Sequence, residues 1–297
     1  MSATDRPADD AREMPPTAQR PGVIMALWRT TNGRIGLVVT GALVVVGLLA
    51  WLGLTPHDPV SQTPADRFLP PSSTYLAGTD QFGRDIASRS MAGILVSLRV
   101  AVLAVAFAAL LGSAAGIAAG YLGGWTDRII GRLTDMLFAF PAILLALVIV
   151  TALGTGWFNT AAAIAVVYTP IFVRVARGPV LSVREMDYIA AGTVLGFGRG
   201  RLLVRHVLPN VAAPIIVQTA LALSWAILTE SSLSFLGLGT QPPEPSLGRM
   251  VSEARNLFGQ APWMLITPSI MIVTAVVGLN LLGDGLRDAL DPTRQRR

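Results

Sequence analysis

The chain has 297 residues, of which 52% are apolar and only 14% charged, against about 25% charged in soluble domains, and its mean hydropathy is +0.57. That balance excludes a soluble protein with a polar surface, wholesale disorder and a collagen-like fibre, and the lack of Cys excludes a disulfide-stapled scaffold. All 23 basic residues are Arg, so the chain has neither a P-loop lysine for ATP phosphates nor a Schiff-base lysine, and its net charge of +5 has meaning only by location.

Residues 1–22 are rich in Pro, Asp, Arg and Ala and have no apolar core. They are expected to form a disordered tail and not a cleavable signal, since the first apolar run comes late and is long enough to span. Val23–Leu27, Trp28 and Arg29 suit the membrane interface just before that run.

A bilayer core needs about 20 apolar residues of helix, because unpaired backbone groups are costly in hydrocarbon. Ile35–Leu54 supplies the first span, after a tail comprising 1–34. A non-membrane segment, 55–92, follows. The uncharged stretch from Val100 to Thr126, entered near Ile94, gives the second. Gly154, Gly156 and Asn159 divide the next apolar stretch into a hairpin, with spans over Leu133–Leu153 and Phe158–Ala176. Val211–Leu238 is the fifth span, interrupted by Glu230, and Trp263–Leu286 the sixth. The expectation is an all-α membrane protein of six transmembrane helices, with a five-helix core over 93–286 and a tail at 287–297.

With both termini inside, the inner segments 1–34, 121–132, 174–210 and 287–297 hold seventeen arginines against five in the outer segments 55–92, 154–159 and 239–262. The positive-inside bias therefore puts both termini in the cytoplasm and makes the basic balance a topology signal. A nucleic-acid partner is not expected.

The inner loop 182–210 carries the most information. Asp187 is placed to cap a short helix, Ile189, Val194 and Leu195 make an apolar stripe, and Ala190, Ala191 and Gly192 leave a face with little bulk. Gly196, Gly198 and Gly200 end the helix, and Pro209 marks the start of the next span. A short helix with a small-residue face between two membrane helices suits docking into a partner's groove.

Here the chain resembles the "EAA" loop of bacterial ABC importer permeases: Glu-Ala-Ala, three residues, Gly, nine residues, then an apolar residue, any residue, Leu and Pro. Ala191, Gly196, Leu208 and Pro209 stand at the matching spacing, while Ala190 replaces the glutamate, Gly192 the second alanine and His206 the apolar residue. Two further stretches resemble the C-type permeases of the dipeptide/oligopeptide/nickel importer group. One is Ala77-Gly78-Thr79-Asp80-Gln81-Phe82-Gly83-Arg84-Asp85 with Ser88-Arg89; the other is Ser232-Leu233-Ser234-Phe235-Leu236-Gly237-Leu238-Gly239 with Pro242-Pro243. The closing Asn280-Leu281-Leu282-Gly283-Asp284-Gly285-Leu286-Arg287-Asp288 is also similar, so the resemblance runs from about residue 25 to the end.

The resemblance implies a type I importer permease in the bacterial inner membrane, carrying short peptides or a related small solute. It implies a second, homologous permease as heterodimer partner, two ATPase subunits docked on the loop (Asp187, Tyr188, Ala190, Ala191, Gly192, Leu195, Gly196, Leu208, Pro209), and an extracytoplasmic solute-binding protein. ATP and Mg²⁺ would be held by the ATPases, with no cofactor on this chain and no enzyme activity of its own. Asp80, Arg84 and Asp85 suit either a ledge facing the binding protein or a capped surface turn, with Asp80 capping a short helix and Arg84 and Asp85 in exposed ion pairs. Glu230, the only acidic group deep in a span, suits either a structural contact, hydrogen-bonded to Ser or Asn of a neighbouring helix, or a translocation path or gate.

Gly112, Gly116 and Gly120 recur on one helix face and favour close helix packing. His57 and His206 fall on opposite sides and the chain has no Cys, so neither a His-rich metal site nor a thiol nucleophile arises. An ion-gradient-driven secondary transporter is the rival reading; it would show inverted repeats around midplane charges, and no repeat is visible.

Overall fold

The computed structural model describes Met25, Leu27, Trp28 and residues 30–290. The expected disordered tail 1–22 and most of the tail 287–297 lie outside them. Apart from turns and an irregular segment over 52–85, which holds one short 3₁₀ turn and an isolated bridge between Thr79 and Asp85, the described residues are helical.

Helix α1 is Thr31–Trp51. It begins before the expected Ile35 because Thr30 caps it, the Gly33 amide donating to Thr30 Oγ1 at 3.1 Å. Helix α2, Ile86–Leu122, starts well before Ile94 for the same reason: Asp85 caps it, accepting from the Ser88 amide at 2.9 Å. Gly123, at φ +66°, ends it.

The third span departs from expectation. Leu133–Leu153 is not one straight helix but parts of two, α3 (Gly124–Phe138) and α4 (Ala142–Leu153), bent by 93°. Pro141 lies at the break; a proline disfavours helical backbone in the residue before it, which an apolar run does not reveal. A tight turn then leads into α5, Trp157–Arg184. Gly154 and Gly156 take positive φ there, and Asn159 Nδ2 donates to the carbonyls of Leu153 and Gly154, each at 3.0 Å.

Next come two short helices, α6 (Asp187–Val194) and α7 (Arg199–Leu202). A π turn over Leu203–Val207 runs straight into α8, Leu208–Phe235. The fifth long helical run therefore starts at Arg199 rather than Val211. Pro209 is the second residue of α8, as expected for a helix start, although the helical run enters from Arg199; the Leu208 amide donates five residues back to the Leu203 carbonyl, and this wider turn accommodates the missing proline donor. Helices α9 (Leu247–Ala254) and α10 (Trp263–Leu290) complete the fold.

Among the described residues, α1, α2, α5, the run from Arg199 to Phe235, and α10 are each long and apolar enough to cross a membrane, and α3–α4 would make a sixth if the bent pair is one span. The core lies where α2, α5 and α8 meet, around Ile94, Val105, Ile164, Phe172, Ile227 and Leu233. Close approach of α2 and α5 depends on the expected glycine face: a Cβ at Gly112 would lie 2.5 Å from the Thr169 carbonyl oxygen, and one at Gly116 2.3 Å from that of Val173. Helix α1 packs on α10 in the same way, Gly36 against Leu282 and Gly33 against Gly285.

Helix directions follow from these contacts. The starts of α2 and α10 share one cluster through Ile86 and Met264. The end of α10 meets the start of α1, and α6 packs beyond the end of α2, through Ile189 and Ile117. Both described chain ends and α6 thus share one end of the bundle, opposite the 55–85 ledge.

Candidate functional site

Helix α6 projects from the bundle between α5 and α7. Asp187 is its first residue rather than its cap; Met186 holds the cap position with no side-chain bond, and the Asp187 carboxylate favours the positive helix start. Ile189 turns inward, 4% exposed, onto Val180, Val183, Val207 and Val211. Val194 and Leu195, expected on the same stripe, point away from the bundle at 87% and 72% exposure. Ala190 and Ala191 are exposed beside them. The result is a small knob with an apolar tip.

Gly196 ends the knob. At φ +78° it occupies the left-handed position after the helix, donating to the Thr193 carbonyl at 3.0 Å while Phe197 donates to Gly192 at 3.0 Å. These two bonds make the Schellman closure, which favours glycine. Gly198 and Gly200 have other places, the first capping α7 and the second lying within it. Gly192 is buried, and a Cβ there would lie 2.7 Å from Leu202 Cδ2. Asn210 Nδ2 donates to the His206 carbonyl at 2.6 Å and to the Tyr188 hydroxyl at 3.3 Å, and the Tyr188 and His206 rings lie 6.1 Å apart. Leu208 and Pro209 are exposed at the base. The knob is therefore packed on the end of α5 and bonded to the start of α8. Behind it lies a cleft of about 280 Å³ lined by Tyr121, Arg184, Ala190 and Arg199.

At the opposite end, the three expected ledge residues face inward. The Asp80 and Asp85 side chains are 6% and 1% exposed, and that of Arg84 13%. Asp80 Oδ1 accepts from the amides of Phe82 at 2.8 Å and Arg84 at 3.0 Å, while its Oδ2 takes Arg84 Nε at 2.6 Å. The cap is Asp85 and not Asp80, and these pairs are buried rather than exposed. Arg84 Nη2 also reaches Glu253 of α9 at 3.5 Å, and Trp263 Nε1 donates to the Thr79 carbonyl at 3.2 Å. These residues build the ledge and present little of themselves on its surface. Hydrogen bonding of Tyr75 to the Asp66 carboxylate, at 2.7 Å, pushes the phenol's pKa up.

Glu230 is wholly buried. Its carboxyl group accepts from Ser97 of α2 at 2.6 Å and Ser234 at 2.7 Å, with Ser246, just before α9, at 3.4 Å. Among the described residues, its hydrogen-bond partners are all serine hydroxyls. The role of Ser97 and Ser246 was not anticipated, although a lone carboxyl in an apolar run was itself a signal to seek hydroxyl partners. Arg99 pairs with Glu244 at 3.0 Å and lies 4.1 Å over the Trp157 ring. No cluster of three metal-ligating side chains occurs among the described residues.

Residues 112–296 match the family described as binding-protein-dependent transport system inner membrane component. The dipeptide transport system permease of Alkalihalophilus pseudofirmus is 43% identical, the alignment covering 87% of this chain and 84% of the relative. The glutathione transport system permease of Pectobacterium atrosepticum is 42% identical over 84% of each chain. A probable D,D-dipeptide transport system permease of Escherichia coli is 40% identical over 86% of this chain and 87% of its own.

Proposed function

Because the chain belongs to the family of binding-protein-dependent transport system inner membrane components, we propose that it works as one half of a two-permease path, driven through the α6 knob by separate ATPases. The chain is a C-type permease subunit of an ABC peptide importer, a multi-pass protein of the bacterial inner membrane. In our reading both termini and the knob face the cytoplasm, supported by the seventeen-to-five arginine bias and by the knob sharing one end with the described chain ends.

The single observation that carries the mechanism is the exposed Val194–Leu195 tip on a helix clamped by Ile189. Two ATPases hold ATP and Mg²⁺ and dock here; this chain supplies no catalytic group. Closure of the ATPases displaces α6, and the Tyr188–Asn210 link passes the movement to α5 and α8. ATP shifts the equilibrium toward an outward-open state only in so far as the knob's contacts are better there. A second, homologous permease lines the other side of the path, and a solute-binding protein delivers peptide to the ledge end. Glu230 acts on the outer gate by holding the α9 segment to α2 and α8. Asp80, Arg84 and Asp85 shape the ledge on which the binding protein sits.

The test is Ala191→Arg, which adds a long cation to the exposed knob face. The assembled permease pair should still form but lose its ATPases on affinity purification. Normal recovery of the ATPases would remove the knob from the mechanism.

A further inference from the structure

We propose that the cleft between α3 and α5 holds the phosphate of an anionic phospholipid, with α3 lying along the membrane surface. Sequence reading placed 121–132 in an inner loop and began the third span at Leu133, near the end of α3. The structure bends it 93° away from α4, and α4, with 12 residues, is only about 18 Å long.

The faces of α3 are those of an interfacial helix. Trp125, Ile129, Leu133 and Met136 form one exposed strip, Trp125 at 73% and Met136 at 65%. Thr134, on another side, is buried, and Asp127 there takes a two-point bond from Arg177 at 2.5 and 2.8 Å. Arg128 and Arg132 stand one turn apart at the border of the apolar strip, where an interfacial helix places its cations at the phosphate level. The Arg128 guanidinium lies 5.3 Å from the Trp125 ring centroid, a pairing that suits the interface.

The charge balance selects the ligand. The cleft, about 280 Å³, is lined by Asp127, Arg128, Arg132, Asp135, Arg174 and Arg177. Both carboxylates are already engaged, Asp127 by Arg177 and Asp135 by Arg174 at 2.9 Å. Among the described residues, no carboxylate comes within 4.0 Å of Arg128 or Arg132. Two positive charges are left over beside exposed apolar surface, and an anionic lipid complements both at once: phosphate to the arginines, acyl chains to the strip. A protein partner would cover the apolar strip without explaining the excess charge.

The inference rests on the membrane reading, and its inner-leaflet part on the sidedness proposed above. The test uses the whole importer in nanodiscs of phosphatidylcholine mixed with phosphatidylglycerol, with retained lipids counted by native mass spectrometry. Wild type should retain phosphatidylglycerol selectively. The double variant Arg128→Gln/Arg132→Gln should weaken that retention by about 30-fold, the factor that ~1 kcal/mol for each of two arginines gives. Arg128→Lys/Arg132→Lys should keep most of it and so separates charge from misfolding. Unchanged retention in the glutamine variant overturns the proposal, as does equal displacement by inorganic phosphate, which would make the site a simple anion trap. Loss of the second permease with lipid count unchanged also overturns it, assigning the face to a subunit contact. Sidedness is read separately: Gly131→Cys, in a chain with no other Cys, should react with an impermeant maleimide only from the cytoplasmic side. Reaction from outside contradicts the inner-leaflet assignment while the lipid count still judges the cleft.

Discussion

The Ser97 hydroxyl of α2 donates to Glu230 Oε2 of α8 at 2.6 Å, in a site from which solvent is wholly excluded. Ser234 and Ser246 complete the cage, so one carboxyl group joins two long helices and the segment leading into α9. Removing it strands several buried hydroxyls at once, at about 1–3 kcal/mol for each lost partner. Glu230→Ala should lower the thermal stability of the purified complex and impair peptide uptake, while the ATPases still copurify. Glu230→Gln, which keeps two polar atoms, should do less on both counts. Uptake at the wild-type rate in Glu230→Ala would dismiss the proposed gate role.

A second expectation concerns the Gly196 turn. With φ at +78°, a β-branched residue is strained by roughly 1–2 kcal/mol, whereas asparagine tolerates this region. Gly196→Val should loosen the knob and depress peptide-stimulated ATP hydrolysis; Gly196→Asn should retain most of it. Equal activity in the two variants would show that the turn's geometry does not matter.

Helix packing gives a third. A Cβ at Gly116 would fall 2.3 Å from the Val173 carbonyl oxygen, whereas one at Gly41 of α1 meets nothing within 4 Å. Gly116→Ala must push α2 and α5 apart, because the obstacle is backbone that cannot rotate away. It should reduce recovery of folded complex in mild detergent, and Gly41→Ala should not. Size-exclusion profiles of the two variants decide the point.

The ledge supplies a fourth. Asp85→Ala removes the cap of α2, worth about 1 kcal/mol, together with the Ser88 hydroxyl contact at 2.5 Å. Since Asp85 has almost no exposed surface, its loss should lower thermal stability before it changes binding-protein affinity. An affinity defect at unchanged melting temperature would point instead to direct contact.

Much of this arrangement was legible in the sequence because its signals are local. Gly196 at a helix end, Gly112, Gly116 and Gly120 on one face, and apolar runs of span length each imply their structure through backbone physics alone. The third span was misread because hydropathy sums composition and is blind to direction; only Pro141 marked the 93° turn. The start of the fifth helical run was missed because Arg199–His206 is polar in sequence, and the π turn that carries the helix past Pro209 has no compositional signature. Asp80, Arg84 and Asp85 lie at the end of the bundle opposite α6, but nothing local tells a buried carboxylate from an exposed one. Their burial depends on partners as distant as Glu253.

The claim on which the rest depends is that the α6 tip touches an ATPase, and the absence of native Cys makes contact measurable. Val194→Cys labelled with a maleimide–benzophenone in the assembled importer should photocrosslink to an ATPase subunit, with a yield that changes when ATP is added. A tip that crosslinks to no ATPase in a fully assembled, transport-competent complex would contradict the account.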